Sequence, residues 1–551
     1  MKTNIGESKM NSDLATDSAA PGTISILTVL ACAWPALLLA TVCLVPFLNK
    51  PFLNDDPFFL TQARQIARHP AHPMDFTICY DAAIGCAKAY AVTPGDALMG
   101  YVLVPTILTG AHEWTAHLTQ LVLAWIAVMA MAALVLRFGW DRQHAMAGAL
   151  LLVAIAPFLP MASNVMPDIL GAALAIVAME RLAAWKAEQK WGQGAGAAIA
   201  LGLAGFTRPH LVLLLPLAAF YLLDSAVPKV ALAQLSRKFW LWTPVLAGGG
   251  LLLAIIAITR EHNLAINPPS SVTGLSNIAR NLRTFLVYLA FPFPLAACWL
   301  ANRLRARLWR APVIPALATG ATWFLHPDRP LYAFLAIVSL GMLLDLLYVA
   351  LDKADHTDLF LMLWILIPLP VVYYVLFSSK YILPCMPAII LLCFRLMKGF
   401  PIRFSRPAAI ALIAVSTVYS VLILRSDAEF ARFGRDAMYA LIRPHVAVGE
   451  KVWYGTESCS YWYAPLAGAT QILPDGPQPK PGDFLVLDRL EGGYPYWAHI
   501  SHRTLVETIT HKYRFGRTMG AGVGLYNNLN AYWMWGFGVD QNDRFELWRI
   551  D

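Results

Sequence analysis

The sequence predicts a polytopic α-helical membrane protein from three observations: 58% of its 551 residues are hydrophobic, only 14% are charged, and the mean hydropathy is +0.55. A bilayer core of about 30 Å asks for roughly 20 apolar residues per helix, and runs of that size recur from residue 24 to residue 425. An ordinary soluble globule and a disordered chain are both excluded. The 42 Lys and Arg against 34 Asp and Glu leave a net charge of +8, an excess that here reflects topology and lipid headgroups. No basic run interleaved with aromatics points to nucleic acid as a partner.

Residues 1–23 are polar and lack the cationic start and cleavage site of a signal peptide, so the first apolar run, 24–48, is expected to be a retained helix. Further runs lie near 114–137, 145–161, 164–183, 193–207, 210–227, 240–258, 284–301, 311–325, 331–351, 358–378, 381–397 and 407–425. They predict about thirteen spans. Alternation from a cytoplasmic N-terminus gathers Arg137 and Arg142, Arg181 and Lys186, Arg237 and Lys238, Arg303 to Arg310, and Arg395 to Arg406 on the cytoplasmic side. That is the positive-inside bias. Two hydrophilic stretches then face outward: the loop 50–113 and the tail 426–551.

The tail carries turn signals from Pro474 to Pro481 and β-prone runs at Lys451–Tyr454, Asp483–Leu487 and Phe545–Trp548. They predict a small extracytoplasmic α/β domain. In the loop, Asn54-Asp55-Asp56-Pro57 is a helix start. The residues that follow, Phe58, Phe59, Ala63, Ile66 and Ala67 set against Gln62, Arg64, Gln65 and Arg68, predict an amphipathic helix lying in the membrane interface. Cys79 and Cys86 share this loop, and either pair in an oxidising compartment or stay as thiols. The other cysteines fall mostly in apolar runs.

Six cations break the charge bias by standing at the outer ends of spans: Arg208, Arg260, Arg280, Arg283, Arg329 and Lys380. Snorkelling to ordinary headgroups is one explanation for each; a phosphate esterified to a long lipid is the other, suited to the Arg fork and the compact Lys charge. Asp55 and Asp56 follow the first span closely. With Pro57 as the first helical residue, Asp56 caps the helix and Asp55 is left to face a cavity as a general base. Capping by both is the alternative. Scattered histidines, among them His69, His112 and His262, show no recognised ligand spacing, so no metal site is assigned.

The order of a first span, Leu53-Asn54-Asp55-Asp56-Pro57-Phe58-Phe59 and an amphipathic helix resembles the GT-C superfamily of integral membrane glycosyltransferases. Within it, the chain is similar to the family 39 and aminoarabinose-transferase-like branch, whose first outer loop carries an acidic pair. Three further segments follow that branch in order: Ser163-Asn164-Val165-Met166-Pro167-Asp168, the stretch Gly205-Phe206-Thr207-Arg208-Pro209 running on to Pro216, and Ser379-Lys380-Tyr381-Ile382-Leu383-Pro384 with Pro387. The chain departs from it at Asp56, Arg208 and Lys380, where Glu, Lys and Arg are common. It departs again at Thr93 to Asp96, where the branch has His-Pro-Pro.

The resemblance implies a GT-C transmembrane module over 24–425. It implies transfer of a sugar from a polyprenyl-phosphate or dolichyl-phosphate-like carrier to a lipid, glycan or protein acceptor outside a bacterial inner membrane. Asp55 and Asp56 would be the catalytic pair. Lys380, Arg208, Arg260, Arg283 and Tyr381 would hold the donor phosphate. Asp168, Asn164, His210, Arg280 and Arg329 form a second tier. No cofactor is expected with certainty, and a divalent cation is kept as an optional component. A transporter or flippase, and a carrier-linked glycan ligase or polymerase, are the rival classes; a transporter would carry internal repeats with matched broken helices, which the sequence lacks.

Overall fold

The computed structural model describes residues 24–81, 85–92, 96–223, 239–259, 275–291, 293–305, 330–374, 376–455, 459–473, 476–489, 500, 502–520, 522–528, 533–538 and 543–551. The apolar runs become helices, but prolines and short lengths divide them. Among the described residues, seven helices are long and apolar enough to cross a membrane, or eight if the bent pair Leu275–Ala290 and Leu295–Arg305 is one span. This compares with about thirteen expected from residue runs alone. The run 145–161 shows why: it splits at Pro157 into Arg142–Ala154 and Phe158–Ala162, because proline lacks the N–H that would continue the ladder. The run 311–325 lies outside the described residues, as do Arg260 and Arg329.

The first helix, Ile26–Leu44, starts with the Ser25 hydroxyl accepting from Thr28 N. Its exposed Leu27, Trp34, Leu38 and Val42 form an apolar outer stripe, as expected where lipid is the solvent. The loop helix Asp56–Arg68 is amphipathic, yet its apolar side is covered by protein: Phe58, Phe59, Leu60, Ala63 and Ile66 are buried. An apolar helix inside the predicted hydrophilic loop, Leu98–Leu108, packs on it. The two approach so closely at Gly100 that a Cβ there would stand 2.5 Å from Gln62 Oε1. Gly100 N donates to that same oxygen at 3.1 Å. Thr77–Asp81 (β1) and Gly85–Lys88 (β2) form an antiparallel ribbon closed by a Cys79–Cys86 disulfide.

The helix Ile402–Ala447 runs 46 residues without a break. It passes through residue 425, where the last apolar run ends. Beyond it lies a five-stranded mixed sheet of Val452–Tyr454 (β3), Thr470–Gln471 (β4), Phe484–Asp488 (β5), Arg503–Thr510 (β6) and Arg544–Ile550 (β7), in the order β4-β3-β5-β7-β6. β3 pairs parallel with β4 and β5, and β7 pairs antiparallel with β5 and β6. Every residue of β5 is buried, the continuous apolar pattern of a strand covered on both faces. One face joins the main core through Phe484 and Val486, and the other builds a small cluster around Trp453, Leu485 and Leu487.

The tail does not hang free of the helices. Tyr463 Oη accepts from Phe52 N at 2.8 Å and donates to Glu113 at 3.1 Å, and Gln471 Nε2 donates to Cys79 O at 2.8 Å. Asn528 accepts from Phe377 N at 3.0 Å while donating to Asn281 and Thr284 at 2.9 and 2.7 Å. Leu525 O accepts from Ser378 Oγ at 3.0 Å. These pairs are buried or part-buried, and the buried ones are costly to leave unmade.

Candidate active site

Each charged residue of the site is aimed by a local backbone feature. Asn54 adopts φ 48, a left-handed conformation that Asn tolerates better than most residues. The turn it makes leads into the helix Asp56–Arg68 with Asp55 at its cap position. Pro209 restricts the residue before it to extended backbone, and Arg208 sits there at φ −147, ψ 128, ending the helix Trp191–Thr207. Asp168 opens the helix Asp168–Glu188 directly after Pro167, where a carboxylate is favoured by the helix dipole. Lys380 lies in a 3-10 turn, Ser379–Cys385, whose start is capped by Ser378.

These four segments converge. Lys380 Nζ donates to Asp55 Oδ2 at 3.1 Å and approaches Met166 Sδ at 3.6 Å. The Arg208 fork bridges two carboxylates, Asp96 at 2.6 Å and Asp168 at 2.8 Å. Tyr381 lies between the cations, its ring centre 5.6 Å from the Arg208 guanidinium carbon and 5.9 Å from Lys380 Nζ. His210 meets the Tyr381 ring edge-on at 5.9 Å. Asp55 is the accessible member, its side chain 39% exposed against 5% for Lys380 and 3% for Asp168.

The cluster is not balanced. Among the described residues three carboxylates face two cations, and Arg208 serves two of them. Burial pushes the Asp96 carboxyl up to about 7, against the pull of Arg208. Asp96 Oδ1, Asp168 Oδ2, Arg208 Nε and both ring nitrogens of His210 are buried without a hydrogen-bond partner among the described residues. Such atoms are rare in a closed interior and mark a place where an incoming polar molecule has bonds to make.

Asp56 occupies a different environment. It is fully buried, its Oδ2 accepting from Leu53 N at 3.0 Å and its Oδ1 from Val165 N at 2.8 Å. The expected cap position falls one residue earlier, at Asp55, whose side chain makes no cap bond; Asp56 instead staples the loop to the segment before Asp168. Burial pushes its carboxyl up to about 7, against the opposing effects of Lys50 and the two backbone amides. Asn164 also lies outside the Lys380 cluster. It accepts from Lys50 Nζ at 2.6 Å and from Tyr526 Oη at 3.0 Å. Lys50 completes a sealed ion pair with Asp427 at 2.5 Å, both side chains wholly buried.

Arg280 and Arg283 lie on the helix Leu275–Ala290, both half-buried, beside the Asn281 and Thr284 that hold Asn528. Among the described residues no group of three or more His, Cys, Asp or Glu is placed to hold a metal ion. Asp96, Lys50, Asp427, Tyr526 and Asn528 did not stand out as site residues in the sequence. Lys50 had the same signal as Lys380, a cation at the outer end of a span, and Asp427 immediately follows the last apolar run.

No protein-family profile matches the chain, and no curated protein matches it. Among solved structures the chain is similar to ArnT from Cupriavidus metallidurans bound to undecaprenyl phosphate, with 15% identity and a TM-score of 0.41 over 88% of this chain and 97% of that one. The apo state of the same protein is similar at 14% identity and a TM-score of 0.38, over 81% of this chain and 85% of that one. The Archaeoglobus fulgidus oligosaccharyltransferase tethered to an acceptor peptide is similar at 13% identity and a TM-score of 0.46, over 87% and 72% respectively.

Proposed function

We propose that this chain transfers a sugar from a polyprenyl-phosphate carrier to an acceptor hydroxyl or amine at the membrane face on which the tail lies. The observation that carries the reading is the meeting of a half-exposed carboxylate, Asp55, with a buried ammonium, Lys380, 3.1 Å away, backed by Tyr381 and Arg208. In the proposed step Asp55 takes the acceptor's proton, the acceptor attacks the anomeric carbon, and the bond from that carbon to the carrier phosphate breaks. The electron pair leaves with the phosphate oxygen, and fixed cations are the groups that stabilise such developing charge. Lys380 and Arg208 fill that role, with Arg283 and Arg260 as further phosphate contacts.

The same proposal sets the N-terminus in the cytoplasm of a bacterium, the site and the tail in the periplasm, and the catalytic module at 24–425. The test is turnover of radiolabelled polyprenyl-phosphate sugars by membranes containing wild type, Asp55→Asn or Lys380→Ala, with and without a chelator. Label leaving the carrier only with wild type supports the reading; chelator-sensitive transfer adds a divalent cation to it. A well-expressed wild type that consumes no carrier across a panel of donors and acceptors would favour transport instead.

A further inference from the structure

A cavity of about 540 Å³ opens between the end of the first helix, the long helix and the segment after β6. That size lies within the roughly 300–1,000 Å³ of small-molecule sites. Its lip is fixed to the membrane boundary by two separate features of the chain. Pro46 and Phe47 end the first candidate span, Ile26–Phe47. Arg425 is the first charged residue after the apolar run of the long helix. The cavity therefore lies where lipid headgroups are.

Its chemistry is that of a phosphate on an apolar base. Arg425 and Arg432 are exposed and stand seven residues apart, on one face of the helix. Neither has a carboxylate within ion-pair distance among the described residues. The carboxylates nearby are otherwise engaged: Glu429 accepts from His511 Nε2 at 3.0 Å, Arg514 N at 2.9 Å and Phe515 N at 3.3 Å. Asp436 accepts from Arg435 at 3.0 Å. Phe47, Phe433 and Phe515 supply apolar walls, and the Arg425 guanidinium is held 5.3 Å over the Phe515 ring, which limits the freedom it would lose on binding.

We propose that this cavity binds an anionic phospholipid, its phosphate between Arg425 and Arg432 and the start of its chains against Pro46 and Phe47. Two guanidinium groups can give a phosphate charge-assisted, forked hydrogen bonds, and the boundary position admits a lipid without drawing its chains out of the bilayer. The site is separate from the Asp55 cluster, and its occupancy needs no sugar transfer.

The test is equilibrium binding of a short-chain phosphatidylglycerol to the purified full-length chain in a phosphatidylcholine background. Wild type and the control Arg443→Gln, which removes a cation further along the same helix, are expected to bind it. The double variant Arg425→Gln/Arg432→Gln, which loses both charge-assisted contacts, is expected to bind at least about tenfold more weakly. Arg425→Lys/Arg432→Lys is expected to recover part of that loss. Equal affinity for phosphatidylglycerol and phosphatidylcholine in wild type overturns the proposal, as does unchanged binding by the Gln variant. Glycerol phosphate alone binding as tightly as the lipid would assign the cavity to a soluble phosphate and overturn the lipid. Turnover plays no part in this readout, so failure here and failure of the transferase reading are distinguishable.

Discussion

Two ionic clusters lie at the same end of the helical module, and they are built on opposite rules. Around Lys50 and Asp427 one cation is ion-paired to one anion with both side chains fully buried, and the buried Asp56 feels both charges. Ser163 O, Asn164, Thr518 and Tyr526 complete their hydrogen bonds. Around Lys380 and Arg208, among the described residues, three carboxylates face two cations, one carboxylate stays open to solvent, and several buried polar atoms have no partner. A sealed network serves to hold segments in place; an open one, with buried polar atoms unpaired among the described residues, has bonding capacity to offer. The sealed cluster joins the first helix, the segment before Asp168, the long helix and the tail, and so fixes the frame in which the open cluster sits.

That contrast can be broken by mutation. The largest expected effect is on rate at the open cluster: Asp55→Asn should lower carrier turnover by roughly 10²–10⁴-fold, the usual contribution of a general base. Its half-exposed pair should contribute under about 1 kcal/mol to stability. Thermal unfolding in detergent beside the turnover assay checks both halves. Next is the sealed cluster, where Lys50→Met strands a buried carboxylate and should cost about 3–5 kcal/mol. Lys50→Met/Asp427→Leu should recover much of that, and equal melting of Lys50→Met and wild type would remove the framing role.

Smaller effects sharpen the picture. Arg208→Lys keeps the charge but not the fork, so one of Asp96 and Asp168 loses its partner. A loss of roughly 1–3 kcal/mol in unfolding free energy is expected. The smallest effect is in pH. Asp96 is raised from 3.8 to about 7, so the folded chain holds this proton more tightly than the unfolded chain. Its contribution to stability is present below about 4 and is lost as pH rises towards 7, by an amount on the order of a kcal/mol or more. The pH dependence of melting should be flatter in Asp96→Asn than in wild type.

Much of the open cluster was legible in the sequence, because a cation at the outer end of a span is a departure from a strong rule. Arg208 and Lys380 carried that mark, and Asp55 stood out instead as part of an acidic pair just after the first span. Asp96 did not, since an Asp after Thr-Pro-Gly reads as a turn residue, and only the fold brings it under Arg208. The sealed cluster was largely invisible. Lys50 lies 377 positions from Asp427, and no local pattern announces a pairing across that distance. The β-prone runs of the tail fall on the strands β3, β5 and β7, but its hold on Phe377 and Ser378 through Asn528 and Leu525 comes from packing between remote segments. The apolar runs marked helices well and spans less well, since prolines divide a hydrophobic stretch without altering its composition.

The unbroken helix Ile402–Ala447 has a mechanical consequence. At 1.5 Å per residue it is a rod of about 69 Å, well over twice the roughly 30 Å of a hydrocarbon core. One end is therefore seated in lipid while the other carries Phe430, Phe433 and Met438 in the core beneath the sheet. Because the tail is also tied to the remaining segments through Tyr463, Gln471 and Asn528, the helix is one strut among several, and together they hold the sheet at a set distance from the hydrocarbon core.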